Sequence, residues 1–271
     1  MLIDTHCHLD AAEFDRDRLH AAERARESGV GAIVIPAIAR DNFQAVRDLA
    51  HGVPGGAYAL GIHPLYVRHA DDADLQRLRD AVAGAMDDPR FVAIGEIGLD
   101  FFVAEIASGP ERERQEHFYQ AQLKLAAEFG LPVLLHVRRS QDVLLKYLRR
   151  IEVPGGIAHA FNGSRQQADL FVQRGFALGM GGEMTYERSR NIRRLATDID
   201  LSALVLETDA PDIPPAWLPR DDRRNTPAEL PRIARALGEL RGLPADEIAA
   251  ATTANARRVL PRLAAVLEAA G

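Results

Sequence analysis

The sequence predicts an α/β protein: a TIM-like (β/α)8 barrel of the metallo-dependent hydrolase type, extended by helix at its C-terminal end. Three observations carry this. Eight strand-length apolar runs recur along the 271 residues, with stretches of helical periodicity between them. Several of the runs are near-continuous rather than alternating, as expected of parallel strands covered on both faces. Side chains able to bind metal collect at the carboxyl ends of the runs, the face where barrel enzymes place their chemistry. The competing architecture, a doubly wound open sheet, lacks its usual handle. The first run leads into His6-Cys7-His8 and not into a Gly-x-Gly-x-x-Gly turn.

The predicted strands are Leu2–Thr5, Gly31–Ala37, Ala57–Ile62, Phe91–Ile97, Pro132–His136, Gly156–His159, Phe176–Gly179 and Ala203–Glu207. Between them, Asp15–Ser28, Asp71–Met86, Glu111–Phe129 and Gln141–Arg150 repeat apolar residues every three or four positions, the pattern of amphipathic helices. Ser164 followed by Gln167 reads as a capping box, and so does Thr226 with Pro227 and Glu229. Gly29 and Gly130 stand where helices should stop. The tail from Pro244 to Gly271, rich in alanine and arginine, predicts one or two more helices. No linker, composition break or short repeat divides the chain, so residues 1–271 are expected to form a single barrel domain.

With 47% hydrophobic and 27% charged residues the chain can bury a sizeable core. The longest apolar run, Val30 to Ala39, is about half of the ~18 residues of a membrane span. The N-terminus shows no basic segment leading into an apolar stretch, so a cytoplasmic protein without a membrane partner is expected. The single cysteine, Cys7, excludes an internal disulfide. The formal net charge of −6 argues against a protein that coats nucleic acid electrostatically, though not against an enzyme that grips one or two phosphates.

On a strand, residues i and i+2 point to one face. His6 and His8 therefore aim together, and Cys7 between them points the other way, toward packing. Glu96, His136, His159 and Asp209 likewise lie at predicted strand ends, as does His63. The ligand set is His6, His8, Glu96, His136, His159 and Asp209. Four imidazoles and two carboxylates exceed what one tetrahedral zinc uses. They suit two cations about 3.5–4 Å apart with one bridging carboxylate, best placed at Glu96. The nitrogen–oxygen mixture fits zinc, manganese, cobalt or nickel better than magnesium.

At these residues the chain resembles the TatD-type metal-dependent hydrolases. The blocks are Asp4-Thr5-His6-Cys7-His8-Leu9-Asp10, Gly61-Ile62-His63-Pro64, Gly95-Glu96-Ile97-Gly98-Leu99-Asp100, His136-Val137-Arg138, His159-Ala160-Phe161-Asn162-Gly163 and Glu207-Thr208-Asp209-Ala210-Pro211. They follow the family's order and span almost the whole chain. Gly181-Gly182-Glu183-Met184-Thr185-Tyr186 and the Ala-Pro-Asp-Ile-Pro after Asp209 look most like its YjjV branch. Two positions depart from the common pattern: Phe101-Phe102, where many relatives carry tyrosines, and Asn162, where a serine is common.

The resemblance implies a metallo-amidohydrolase-like barrel and deoxyribonuclease activity. It implies His6 and His8 on one metal, His136 and His159 on the other, Glu96 between them, and Asp209 beside the reactive water. It also implies that His63 and Arg138 face the substrate phosphate. The expected substrate is DNA or another phosphodiester, bound transiently, with no obligate protein partner. Arg220, Arg223 and Arg224, in the loop after Asp209, are placed to guide a polyanion. Phe101, Phe102 and Trp217 stand in loops on the same face, as base-stacking platforms or as packing under a lid.

Two other function classes are open to the same residues. An amidohydrolase-like esterase or amidase, including one that removes D-amino acids from charged tRNA, can use the same hydroxide. Many such enzymes bridge their metals with a carboxylated lysine; here Glu96 holds that place, and Lys124 and Lys146 fall in predicted helices. A non-catalytic zinc protein is disfavoured, because structural zinc sites are closed by four ligands, commonly cysteines.

Overall fold

Apolar β-rich runs and the parallel pairing between them define the frame. The structure, a computed structural model, describes residues 1–219, 221 and 223–270. Among these, eight parallel strands follow one another in chain order: β1 (Leu2–Asp4), β2 (Val30–Pro36), β3 (Gly56–Leu60), β4 (Phe91–Asp100), β5 (Val133–Arg138), β6 (Gly156–Ala158), β7 (Phe176–Met180) and β8 (Leu204–Leu206). The intervening helices are α1 (Arg18–Glu27), α2 (Phe43–Gly52), α3 (Asp72–Ala85), α4 (Gly109–Phe129), α5 (Gln141–Leu148), α6 (Arg165–Val172), α7 (Arg190–Asp198) and α8 (Leu230–Arg241). Two more, α9 (Ala245–Val259) and α10 (Leu263–Ala270), make up the tail. The result is a nearly closed TIM-like (β/α)8 barrel. The first and last strands meet where Thr5 donates its N–H and its hydroxyl to the Leu206 carbonyl, at 3.1 and 3.0 Å.

Strand alternation sorts the core into two layers. On β2 and β3, Ala32, Val34, Ala57 and Ala59 point into the barrel, while Ile33, Ile35, Tyr58 and Leu60 point out to the helices. Small residues inside let eight strands converge; large ones outside fill the space below the helices. The tail seals the amino ends of the strands. Val259, Leu260, Leu263 and Val266 pack onto the inner layer. Arg262 holds the carbonyls of Met86 and Asp88 at 2.8 and 2.7 Å, and Asn255 holds those of Leu201 and Leu204 at 2.7 and 2.8 Å. That closure leaves the carboxyl ends as the open face.

Two local expectations change in detail. Strand β4 runs on past Ile97 to Asp100, despite its two glycines. Gly98, at φ +144°, lets β4 lie against β5 where a Cβ would stand 2.2 Å from the His136 carbonyl oxygen. The Ser164–Gln167 capping box forms, but Thr226 makes no side-chain cap and starts only a short 3-10 turn over Pro227–Glu229. The Glu229 carboxylate instead accepts the Trp217 indole N–H at 2.7 Å.

Candidate metal centre

Each predicted ligand arrives on the open face by strand geometry. His6 and His8 follow β1. Their backbone is gripped on both sides, since Cys7 N donates to Val34 O at 3.1 Å and Asp209 N to His6 O at 2.8 Å. Cys7 turns away and is buried in the helix-facing core. Glu96 lies within β4 and His136 within β5, with His136 level with Gly98 in the register. His63 follows β3, His159 follows β6 and Asp209 follows β8.

Their polar atoms converge around Glu96, which is almost fully buried. Glu96 Oε2 lies 3.3 Å from both His6 Nε2 and His8 Nε2. Glu96 Oε1 lies 2.8 Å from His136 Nδ1 and 3.3 Å from His63 Nε2. Asp209 Oδ1 stands 3.7 Å from His6 Nε2, 3.6 Å from His8 Nε2 and 3.6 Å from His159 Nε2. The two oxygens of one carboxylate thus serve two groups of nitrogen donors. His159 stacks on His6 at 3.8 Å between ring centres and sits 6.5 Å from His136. Among the described residues, three sets of side chains come close enough to hold an ion: His6, His8 and Asp209; His6, Glu96 and His159; His63, Glu96 and His136.

Behind this group stands a layer of carboxylates whose roles the strand-end pattern did not reveal. Asp100, fully buried on the same face of β4 as Glu96, lies 3.1 Å from His136 Nε2. Glu207 Oε1 lies 3.0 Å from His159 Nδ1 and accepts the Ala160 N–H at 2.6 Å. Gly179 makes room for Glu207, since a Cβ there would fall 2.1 Å from Glu207 Oε2. Asp4 accepts from Thr208 N and Oγ1 at 2.9 and 2.6 Å, tying the end of β1 to the segment that carries Asp209. A partner of this kind fixes which ring nitrogen of a histidine remains available, and so orients the ligand. The pairings leave Nδ1 of His136 and Nε2 of His159 facing the centre.

The donor set fits divalent cations. Glu96 Oε2, at the centre, is buried and has no hydrogen-bond partner, which is costly for a polar group without a compensating ligand. Burial disfavours a charged His8, yet Glu96, Asp209 and Asp10 outweigh it and raise that imidazole to about 9. His159 rises to about 10 against the same burial penalty, through Glu207 and Asp209. Carboxylates that hold protons on two buried imidazoles favour a metal cation equally well. Burial pushes His6 and His63 down to about 4, so both are neutral near pH 7. Burial also raises Asp209, to about 6, against the opposing pull of His159 and His8.

The centre opens into a cavity of about 1230 Å³. Tyr66, Phe102, Arg138 and Arg139 line one part of it, and Asn162, Glu183, Asn191 and Arg194 another. Phe102 is 48% exposed, with the Arg138 and Arg139 guanidinium carbons 4.0 and 4.6 Å from its ring centre. Phe101 and Trp217 instead pack against the core. Arg223 bonds the Tyr186 hydroxyl, and Arg224 pairs with Asp17 at 2.7 Å; neither lines the cavity. Arg220 lies outside the described residues.

A parallel barrel with imidazoles and carboxylates gathered on its open face defines a metallohydrolase. The sequence family described as TatD related DNase matches residues 3–261, and the chain belongs to that family of metal-dependent hydrolases. It is 41% identical over 254 residues to the uncharacterized metal-dependent hydrolase YjjV of Escherichia coli K12, covering 93% of this chain and 95% of that one. The crystal structure of E. coli YjjV superposes with a TM-score of 0.89 at 40% identity, covering 96% of this chain and 98% of the other. A relative from Erwinia tasmaniensis named 3'-5' ssDNA/RNA exonuclease TatD is 34% identical over 275 residues, covering 95% of this chain and 99% of its own.

Proposed function

We propose that the protein hydrolyses phosphodiester bonds of nucleic acid with two divalent cations shared across Glu96. The observation that carries this is the division of labour on that carboxylate, with Oε2 facing His6 and His8 and Oε1 facing His136. His6, His8, His159 and Asp209 would hold one ion, and His136 the other, with Glu96 reaching both. When bound, such cations make hydroxide available near neutral pH and offset charge on phosphate oxygens.

The protein's own groups do the rest. Asp209, raised to about 6, suits a base that accepts the proton of the attacking water near neutral pH. His63 is best read as a donor to phosphate and not as a ligand. The Leu65 N–H donates to His63 Nδ1 at 3.1 Å, so in the neutral ring the proton sits on Nε2, the atom that faces the centre. A protonated nitrogen cannot bind metal, but it can bond an anionic oxygen. Arg138, half-exposed and 3.7 Å from Asp100, supplies a second, charged donor.

Two features favour nucleic acid over a small ester or amide. The cavity exceeds the ~300–1,000 Å³ that encloses a drug-sized ligand, and it carries an aromatic–arginine rim suited to stacked bases and phosphates. Lys124 and Lys146 lie on α4 and α5, so Glu96 alone holds the place a carboxylated lysine would take. Among the described residues no helix is long and apolar enough to cross a membrane.

The test is hydrolysis by metal-reconstituted protein of single-stranded DNA, RNA and a model aryl ester, side by side. Cleavage of the oligonucleotides well above that of the ester is expected; the reverse order would move the protein to the esterase class. In the same assay Arg138→Ala should raise KM for oligonucleotide by roughly 10–100-fold, the value of a hydrogen bond to a charged group, with little change in kcat. An unchanged KM would remove Arg138 from the substrate.

A further inference from the structure

One carboxylate in the cavity has no place in phosphate binding or in the metal centre. Glu183 follows β7 and shares the large cavity with His8, Glu96, His136 and Asp209. It also lines, with Asp209 and Glu207, a small recess off that cavity. Its Oε1 accepts from Asn162 Nδ2 at 3.0 Å, and among the described residues the carboxylate makes no other hydrogen bond and no ion pair.

The Asn162 amide is itself locked. Asn191 Nδ2 donates to Asn162 Oδ1 at 2.8 Å and to the Gly163 carbonyl at 2.8 Å, while Arg194 Nη2 donates to Asn191 Oδ1 at 3.1 Å. With its own oxygen occupied, Asn162 must turn its NH2 toward Glu183. A chain of three side chains therefore fixes this carboxylate and leaves its other oxygen, Oε2, unbonded. Partial burial raises its pKa, with Asn162 and Arg138 acting against the rise.

The lining thus holds two kinds of group: the aromatic and basic Tyr66, Phe102, Arg138 and Arg139, and the amide-held carboxylate of Glu183 with Asn162, Asn191 and Arg194. An internal nucleotide carries phosphate on both sides of its sugar, so a chain threaded through would set one phosphate against Glu183. Like charges at short range in a partly buried site repel strongly. A terminal nucleotide carries phosphate on one side only and can present a hydroxyl on the other. A hydroxyl that donates to a carboxylate makes a charge-assisted hydrogen bond.

We propose that Glu183, positioned by Asn162, is a specificity-determining residue that accepts the free terminal sugar hydroxyl of a nucleic acid strand, and so selects hydroxyl-ended chains over phosphate-ended or closed ones. This rests on the nucleic-acid reading given above. It assigns to the Asn162–Glu183 part of the cavity lining the task of recognising the chain end.

The experiment uses metal-loaded protein and four single-stranded oligonucleotides of one sequence: hydroxyl at both ends, phosphate at the 3' end, phosphate at the 5' end, and a circle. Binding is read by fluorescence anisotropy with cleavage-resistant linkages, and kcat/KM with ordinary ones. The wild type should prefer the hydroxyl form by roughly 10–100-fold over the circle and over one of the two phosphorylated forms, which identifies the end that is read. Glu183→Gln keeps an oxygen for Asn162 but removes the charge. Within that variant the ratio should fall to within about threefold of unity. Equal treatment of all four forms by the wild type, or full discrimination in Glu183→Gln, overturns the proposal while leaving nuclease activity standing. Hydrolysis of the aryl ester with neither binding nor cleavage of any oligonucleotide overturns the nuclease reading, and this one with it.

Discussion

Glu96→Ala should eliminate metal-dependent hydrolysis and reduce the bound metal while the barrel stays folded. Glu96 faces both donor groups at 2.8–3.3 Å, so no other side chain compensates for its loss. If paired cations contribute several kcal/mol to the transition state, kcat/KM falls by roughly 10³–10⁵-fold. The fold itself rests on the two hydrophobic layers and the tail helices, none of which includes Glu96. Elemental analysis of dialysed protein, with circular dichroism and the oligonucleotide assay, checks all three statements. Wild-type metal content in Glu96→Ala would remove the shared carboxylate from the account.

Asp209→Asn should act on turnover more than on binding. General base catalysis is worth roughly 10²–10⁴-fold, and kcat should drop by that amount with a smaller change in KM. The pH profile supplies the sign. A base must be deprotonated to act, so wild-type activity declines as pH falls through the pKa of Asp209. That value is about 6 without cations, and neighbouring cations lower it further. The acid limb therefore lies at or below about pH 6 and should vanish in Asp209→Asn. If the limb persists unchanged, another group takes the proton.

Much of this centre was legible in the sequence because one rule reaches far: alternate residues on a strand share a face, and barrel chemistry sits at the carboxyl ends. His6 and His8, Glu96, His136, His159 and Asp209 all follow from it, and the structure gathers them within hydrogen-bonding or ion-pair distance of one another. The same rule extended along β4 would have reached Asp100, four residues past Glu96, had the predicted strand not ended at Ile97. Glu207 and Glu183 were less accessible. Each faces the site through contacts set by other segments: Glu207 through the space left by Gly179, Glu183 through Asn162 and Asn191. Such contacts join residues tens of positions apart and leave no periodic trace. The stacking of His159 on His6 is likewise a contact between distant segments. The Trp217 bond to Glu229 is a contact of the same kind.

The most direct measurement is a titration of metal-free protein with manganese or zinc, following bound metal and hydrolysis of single-stranded oligonucleotide in the same samples. The expected result is two equivalents per chain, with activity reaching its maximum only as the second is bound. Full activity at one equivalent, or activity without added metal in the presence of chelator, would contradict it.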